Sequence, residues 1–161
     1  MDIPIAPIAE ADLDGAADAI ASGLVFQKYG MTPGSAREFL LSALSETVVA
    51  RVDGEVASVA IFSTGGRTPV PAYLRILAVR EGYRGQGIGT SLLHYVERQA
   101  FTSGPNLFLC CEATNDDARR LYEREGYKRV GELSDLIATG MHEVLYRKTL
   151  GPIRDYLSAS E

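Results

Sequence analysis

Apolar and polar positions along the chain predict short strands and helices in a fixed order. Ile3 to Ile8 reads as a first strand, weakened by Pro4 and Pro7. Residues 12–22 place Leu13, Ala16, Ala17 and Ile20 on one side of a weakly amphipathic helix, with Asp12 as its cap. Residues 23–34, with Gly23, Gly30 and Gly34, read as irregular. A second helix is expected from Thr32-Pro33 or Ser35: Pro33 suits a first helical position, and Ser35 with Glu38 fits a capping box. Its apolar face is Phe39, Leu40, Ala43 and Leu44. Thr47–Val52 and Glu55–Phe62 are strand-like and flank Asp53-Gly54, a strong hairpin signal. A loop over Thr64–Pro71 leads to the apolar run Tyr73–Val79. A helix follows to about Thr102, with Ile88, Leu92, Leu93 and Val96 on one face. Leu107–Cys111 is nearly all apolar, as in a strand covered on both faces. A helix over 114–125 carries Thr114 or Asn115 as cap, Asp116 and Asp117 in its first turn, and a buried stripe of Ala118, Leu121 and Tyr122. Gly126 ends it, Tyr127–Leu133 and Glu143–Leu150 read as final strands, and residues 151–161 form a polar tail. The two strand–helix–strand passages over 73–111 and 107–133 call for parallel pairing, while the Asp-Gly hairpin calls for antiparallel pairing. A mixed sheet with helices on both faces meets both demands.

Candidate chemistry concentrates between strand and helix, in Arg84-Gly85-Gln86-Gly87-Ile88-Gly89-Thr90. A turn of this kind points backbone N–H groups one way, at the positive end of a helix dipole. Its glycines let an anion approach the main chain, and Arg84 adds a bidentate positive partner. The pattern suits a phosphate or pyrophosphate, although glycine-rich turns also occur without a ligand.

The composition narrows the class. The chain of 161 residues suits one domain, and 46% hydrophobic with 23% charged residues suits a globular protein. A net charge of −5 disfavours non-specific nucleic-acid binding. No apolar run approaches the ~20 residues of a membrane span, and the start of the chain lacks the basic and apolar regions of a signal peptide. The two cysteines, Cys110 and Cys111, are adjacent and poorly placed to pair, which fits a reducing, cytoplasmic location. His94 and His142 lack ligand-like spacing to them, so no metal site is expected.

Arg84-x-x-Gly87-x-Gly89 after an apolar strand resembles the acetyl-CoA-binding motif of the GCN5-related N-acetyltransferases, the GNAT superfamily. Asn115, Ala118, Leu121-Tyr122-Glu123 and Gly126-Tyr127 are similar to the family's next segment at the expected separation. The resemblance implies an α/β domain over residues 1–150 with a mixed, splayed central sheet of about seven strands. It also implies acetyl-CoA as co-substrate. The pantetheine arm would lie along Leu77, Ala78 and Val79, the pyrophosphate on the amides of Gln86 to Thr90 (with Arg84 and Gly85 beside it), and Asn115 near the arm or an ordered water.

In such enzymes an amine attacks the thioester directly, with no acyl-enzyme, and placement supplies much of the rate. A backbone N–H near Leu77 would polarise the carbonyl. The tyrosine matching Tyr122 would protonate the departing thiolate; its reference pKa near ~10 against ~8.5 for a thiol permits this. Where some relatives carry a glutamate base, this chain has Tyr73, a poor base at neutral pH. Glu112 is a candidate base beside its plainer reading as a solvated carboxylate at a strand end; water, or an amine arriving neutral, would also serve.

The acceptor side would draw on Gly23–Gly34, with Phe26, Tyr29 and Met31 as a lip or packed onto the core, and on Tyr73, Leu136–His142 and His142. The acceptor is a small-molecule or peptide amine: an amino acid, polyamine, antibiotic, protein N-terminus or lysine. Many relatives form homodimers. Two other classes compete: a non-catalytic acyl-CoA-binding or sensing domain, which retention of Tyr122 disfavours, and a nucleotide phosphate loop, which would need a Gly-Lys-[Ser/Thr] ending that is absent.

Overall fold

The computed structural model describes residues 3–65 and 72–158. Residues 66–71 of the expected loop, and 159–161 of the tail, lie outside the described residues. The strands are β1 (Ile5–Pro7), β2 (Thr47–Val52), β3 (Glu55–Ser63), β4 (Tyr73–Val79), β5 (Asn106–Glu112), β6 (Lys128–Leu133) and β7 (Glu143–Thr149). The helices are α1 (Leu13–Ala21), α2 (Leu24–Lys28), α3 (Pro33–Ser42), α4 (Ile88–Ser103), α5 (Asp116–Arg124) and α6 (Ile153–Ser158). The strands form a mixed seven-stranded sheet of order β1-β2-β3-β4-β5-β7-β6. The chain groups into two compact units: residues through Phe62 with Ile76–Val96, and Ser63–Arg75 with the remainder from Glu97.

In the first unit, β1 pairs antiparallel with β2, and β2 antiparallel with β3. Asp53 and Gly54 both adopt positive φ, 52° and 86°, as a tight hairpin turn requires. Leu13, Ala16, Ala17 and Ile20 of α1 join Ala36 and Leu40 of α3, Val49, Val59 and Ile61 in one buried cluster. Three expectations change here. The start of α3 is capped by Thr32, whose Oγ1 accepts from the Ser35 amide at 3.2 Å while Ser35 Oγ accepts from the Thr32 amide at 2.9 Å. The box is therefore Thr32–Ser35, because Pro33 at the first helical position puts the cap one residue before it. Leu44 falls in a 3₁₀ turn after α3 and is exposed. The segment expected to be irregular contains the short helix α2, too brief to leave a periodic signal.

Asp12, ahead of α1, is buried and meets Arg51 of β2 in a two-pronged ion pair, with Nε to Oδ1 at 3.0 Å; its Oδ2 accepts from the Ala9 amide at 2.7 Å.

In the second unit, β4 and β5 run parallel and pair at Tyr73–Phe108 and Leu74–Leu109. The parallel neighbour expected for β5 on its other side is replaced. β7 lies between β5 and β6 and is antiparallel to both, with Glu112 opposite Glu143 and Asn106 opposite Thr149. Composition explains the order: β7 buries Val144 and Tyr146, as an interior strand must, whereas β6 is largely exposed and suits the edge. The tail is partly ordered: α6 follows Gly151-Pro152, and Tyr156 donates its hydroxyl to the Phe101 carbonyl at 2.6 Å.

Burial alone would raise the Asp12 pKa, but the Arg51 hydrogen bond, the Ala9 amide and the Arg51 charge outweigh it and hold the carboxyl below its usual 3.8. The folded state thus favours the ionised form. The stability it contributes is present above about pH 4 and is lost as pH falls through the folded pKa. Asp12→Asn is expected to lower stability at pH 7 and to flatten its decline below about pH 4. Urea denaturation at stepped pH checks this; an acid limb identical to wild type would remove the assignment.

Candidate active site

The glycine turn starts where β4 ends. The Arg80 amide donates to Ala57 at 2.8 Å, and the Tyr83 amide turns back to Arg80 at 3.1 Å. Gly85 and Gly87 then take φ of 74° and 77°, values that cost an L side chain energy. A Cβ built on either would meet nothing within 4 Å, so the backbone conformation demands glycine here and the turn presents bare main chain. Gly89 differs: a Cβ there would stand 3.0 Å from Val79 Cγ2, so turn and strand approach closely and the Val79 side chain would have to give way to a larger residue.

The Ser91 amide donates to the Gly87 carbonyl at 3.0 Å, making Gly87 the cap of α4. The amides of Ile88, Gly89 and Thr90 precede the first hydrogen bond of the helical ladder. Ile88, Leu92, Leu93 and Val96 are all buried, which pins the helix that carries these amides. Gln86 is exposed and ties its side-chain amide to Gly82 at 3.0 Å.

Behind the turn, Ser58 Oγ donates to the Ala78 carbonyl at 2.7 Å. Leu77 and Val79, on either side of Ala78, are half-buried. Arg84, expected as a positive partner for the anion, is exposed and also has partners within the protein. Its Nε donates to the Val79 carbonyl at 3.1 Å and its Nη2 to Ser22, at 2.9 Å to the carbonyl and 3.3 Å to Oγ. Phe26 and Met31 are partly buried and pack against the core, so neither stands free as a lip. Tyr29 is half-buried beside them in sequence.

In the second unit, Asn115 caps α5, its Oδ1 accepting from the Ala118 amide at 3.2 Å. One turn on, the Tyr122 ring is buried, edge-on to Tyr127 at 5.6 Å and tilted against Tyr146 at 6.2 Å. Ala118 and Leu121 of the expected stripe are only half-buried. Burial, helped by the Cys111 thiol, pushes the Tyr122 phenol up. It is protonated at neutral pH, and the shift makes it a weaker acid than a free phenol. Tyr146, fully buried, gives its hydroxyl to Glu123 at 2.7 Å and accepts from Arg119 Nε at 3.4 Å.

Glu112 is buried, not solvated as its plainer reading held. Its Oε2 accepts from Thr114 through Oγ1 at 2.6 Å and the amide at 3.1 Å. Directly opposite stands Glu143, also buried, which no motif or spacing along the chain singled out. Its place depends on β7 entering between β5 and β6. Tyr73 is half-buried and hydrogen-bonds with Cys110; burial and that bond push its phenol up, weakening it further as a base. His142 gives its carbonyl to the Ala113 amide at 2.8 Å, and its Nδ1 is enclosed without a partner among the described residues.

No group of three or more His, Cys, Asp or Glu able to hold a metal occurs among the described residues. Nor is any helix there long and apolar enough to cross a membrane.

Residues 22–127 match the acetyltransferase (GNAT) family model, and the chain belongs to that family. It is 35% identical over 100 residues to the N-alpha-acetyltransferase RimI of Mycobacterium tuberculosis, covering 62% of each chain. Over 99 residues it is 33% identical to the N-acetyltransferase YitI of Bacillus subtilis, covering 59% of this chain and 65% of that one. The matches thus span under two thirds of these relatives. Among solved structures, a GNAT-family acetyltransferase from Desulfovibrio desulfuricans superposes with a TM-score of 0.78 at 21% identity, covering 93% of this chain and all of that one. The NatC complex bound to Gag peptide and CoA superposes at 0.74 with 20% identity, covering 94% of this chain and all of the matched one. At these identities the superpositions establish the fold. Sequence and fold thus agree in placing the chain in the GNAT family.

Cys111 is buried and its thiol is pushed up to about 12, first by burial and then by Glu143. Cys110 is also raised by burial, partly offset by its Tyr73 hydrogen bond. Both thiols are expected to react with iodoacetamide at pH 7.5 at least about tenfold more slowly than free cysteine, because little thiolate forms. Intact-mass spectrometry over time checks this, and rapid double labelling of the folded protein would contradict it.

Proposed function

We propose that this enzyme transfers an acetyl group from acetyl-CoA directly to a primary amine, in the cytoplasm, with no acyl-enzyme. The observation that carries the reading is the glycine turn: positive-φ glycines leave the helix-terminal amides of Ile88, Gly89 and Thr90 ahead of the ladder and unshielded by side chains. These amides, with Gln86 and Gly87, receive the diphosphate. The backbone of Leu77 to Val79 receives the pantetheine arm, and Asn115 contributes where its capping role leaves capacity. The cofactor brings the activated thioester; the chain supplies alignment and polarity.

Tyr122 donates its proton to the departing CoA thiolate. Its raised pKa supports the protonated resting form, and its two aromatic neighbours support a single ring pose. Glu112 is the candidate group for taking the proton lost by the amine, its carboxylate being held by Thr114 at the end of β5. The RimI relative is named for N-alpha-acetylation, which favours a protein N-terminal amine as acceptor.

Two outcomes test this. Gly87→Ala forces a side chain into the left-handed region and tilts the first amides of α4, so CoA affinity by calorimetry should fall at least about tenfold; unchanged affinity removes the diphosphate assignment. Wild-type protein should release CoA from acetyl-CoA with an amine from a panel of alanine-initiated peptides, free amino acids and polyamines. Tyr122→Phe should reduce that turnover by about 10² with little change in CoA affinity. Equal turnover would make Tyr122 a packing residue, and CoA binding without release from any amine would favour a sensor.

A further inference from the structure

The guanidinium of Arg84 joins three parts of the first unit. It holds the last carbonyl of β4 at Val79, it belongs to the glycine turn, and it grips Ser22, the cap at the end of α1. The Ser22 grip is well matched chemically. Ser22 Oγ donates to the Ala19 carbonyl at 3.1 Å, which leaves its oxygen to accept from Arg84. The Ser22 carbonyl lies at the negative end of the α1 dipole, where a cation is favoured.

A second strut runs beside the first. Arg80, four residues before Arg84, reaches Asp18, four residues before Ser22, at 3.7 Å, and Glu55 at 3.8 Å. Asp18 and Ser22 share one face of α1, their backbones joined by the Ser22 amide to the Asp18 carbonyl at 2.9 Å.

The corner that follows Ser22 is tightly stitched. The Gly23 amide donates to Ile20, the Gln27 amide to Gly23, and Gln27 Nε2 to Ala21, each at 3.0 Å. A Cβ at Gly23 would stand 2.7 Å from Phe26 Cδ2, so the Phe26 ring lies directly on the corner. Met31 is held by its amide to the Phe26 carbonyl at 2.9 Å. A shift at Ser22 therefore carries α2 and its side chains with it.

We propose that Arg84 is a positioning residue that ties the glycine turn to the α1–α2 corner, so that cofactor on the turn steadies residues 22–31. This rests on the reading of the turn as the diphosphate site. In this arrangement Arg84 keeps its grip on Val79 and Ser22 through Nε and Nη2 when cofactor binds.

Hydrogen–deuterium exchange of the full chain with and without CoA tests the tie. In wild type, CoA should slow exchange at least about threefold in peptides covering 85–91 and also in those covering 22–31. In Arg84→Gln the slowing at 85–91 should persist while that at 22–31 disappears. Arg84→Lys, which keeps the charge but cannot span two carbonyls, should behave as Arg84→Gln does. Slowing at 85–91 alone in wild type sinks the tie and leaves the cofactor reading intact. No slowing anywhere sinks both. A tenfold loss of CoA affinity in Arg84→Gln that Arg84→Lys restores, with slowing at 22–31 retained, makes Arg84 a phosphate ligand and overturns the proposal.

Discussion

Left-handed backbone at Gly85 and Gly87 is the constraint on which the candidate chemistry depends. With any other residue the turn would pay steric strain at two positions and raise side chains over the main chain. With glycine, α4 begins at an open end, and its first amides have no acceptor in the helix. Burial of Ile88, Leu92, Leu93 and Val96 then holds that end still. The strict choice of glycine at the turn is thus coupled to rigidity one turn later, and an anion site needs both.

Polar groups around the turn are committed to holding it. Arg84 and Arg80 brace α1, Ser58 takes the Ala78 carbonyl, and Gln86 closes on Gly82. In the second unit the same economy applies to aromatic rings. Tyr127 and Tyr146 flank Tyr122, and Tyr146 is itself fixed by Glu123 and Arg119. A phenol buried this way keeps one orientation and rests protonated, while the same burial makes it a weaker acid.

The elements that were legible in the chain are those with strong local signals. β4 has the bounds read from its apolar run, Asp53-Gly54 forms the hairpin, Asn115 caps α5, and Gly126 follows it with φ of 91°. Weak local signals misled. Five residues of α2 are too few for periodicity, and Ser35 competed with Thr32 for the cap of α3. Arg84 carried a motif role, yet besides Val79 nearby it grips Ser22, sixty-two residues away, beyond what spacing along the chain reports.

Periodicity and turn chemistry were sufficient to determine a mixed α/β fold, because helix faces, caps and positive-φ turns are local properties of the backbone; the acetyltransferase family was legible only through the resemblance of two motifs. Tertiary structure decided which strands became neighbours. Inserting β7 between β5 and β6 set Glu143 opposite Glu112 and buried both. It also directed Arg84 to α1 and packed Phe26 onto the core. These outcomes follow from long-range burial and pairing energies, which depend on residues distant in sequence and leave no trace in any local window.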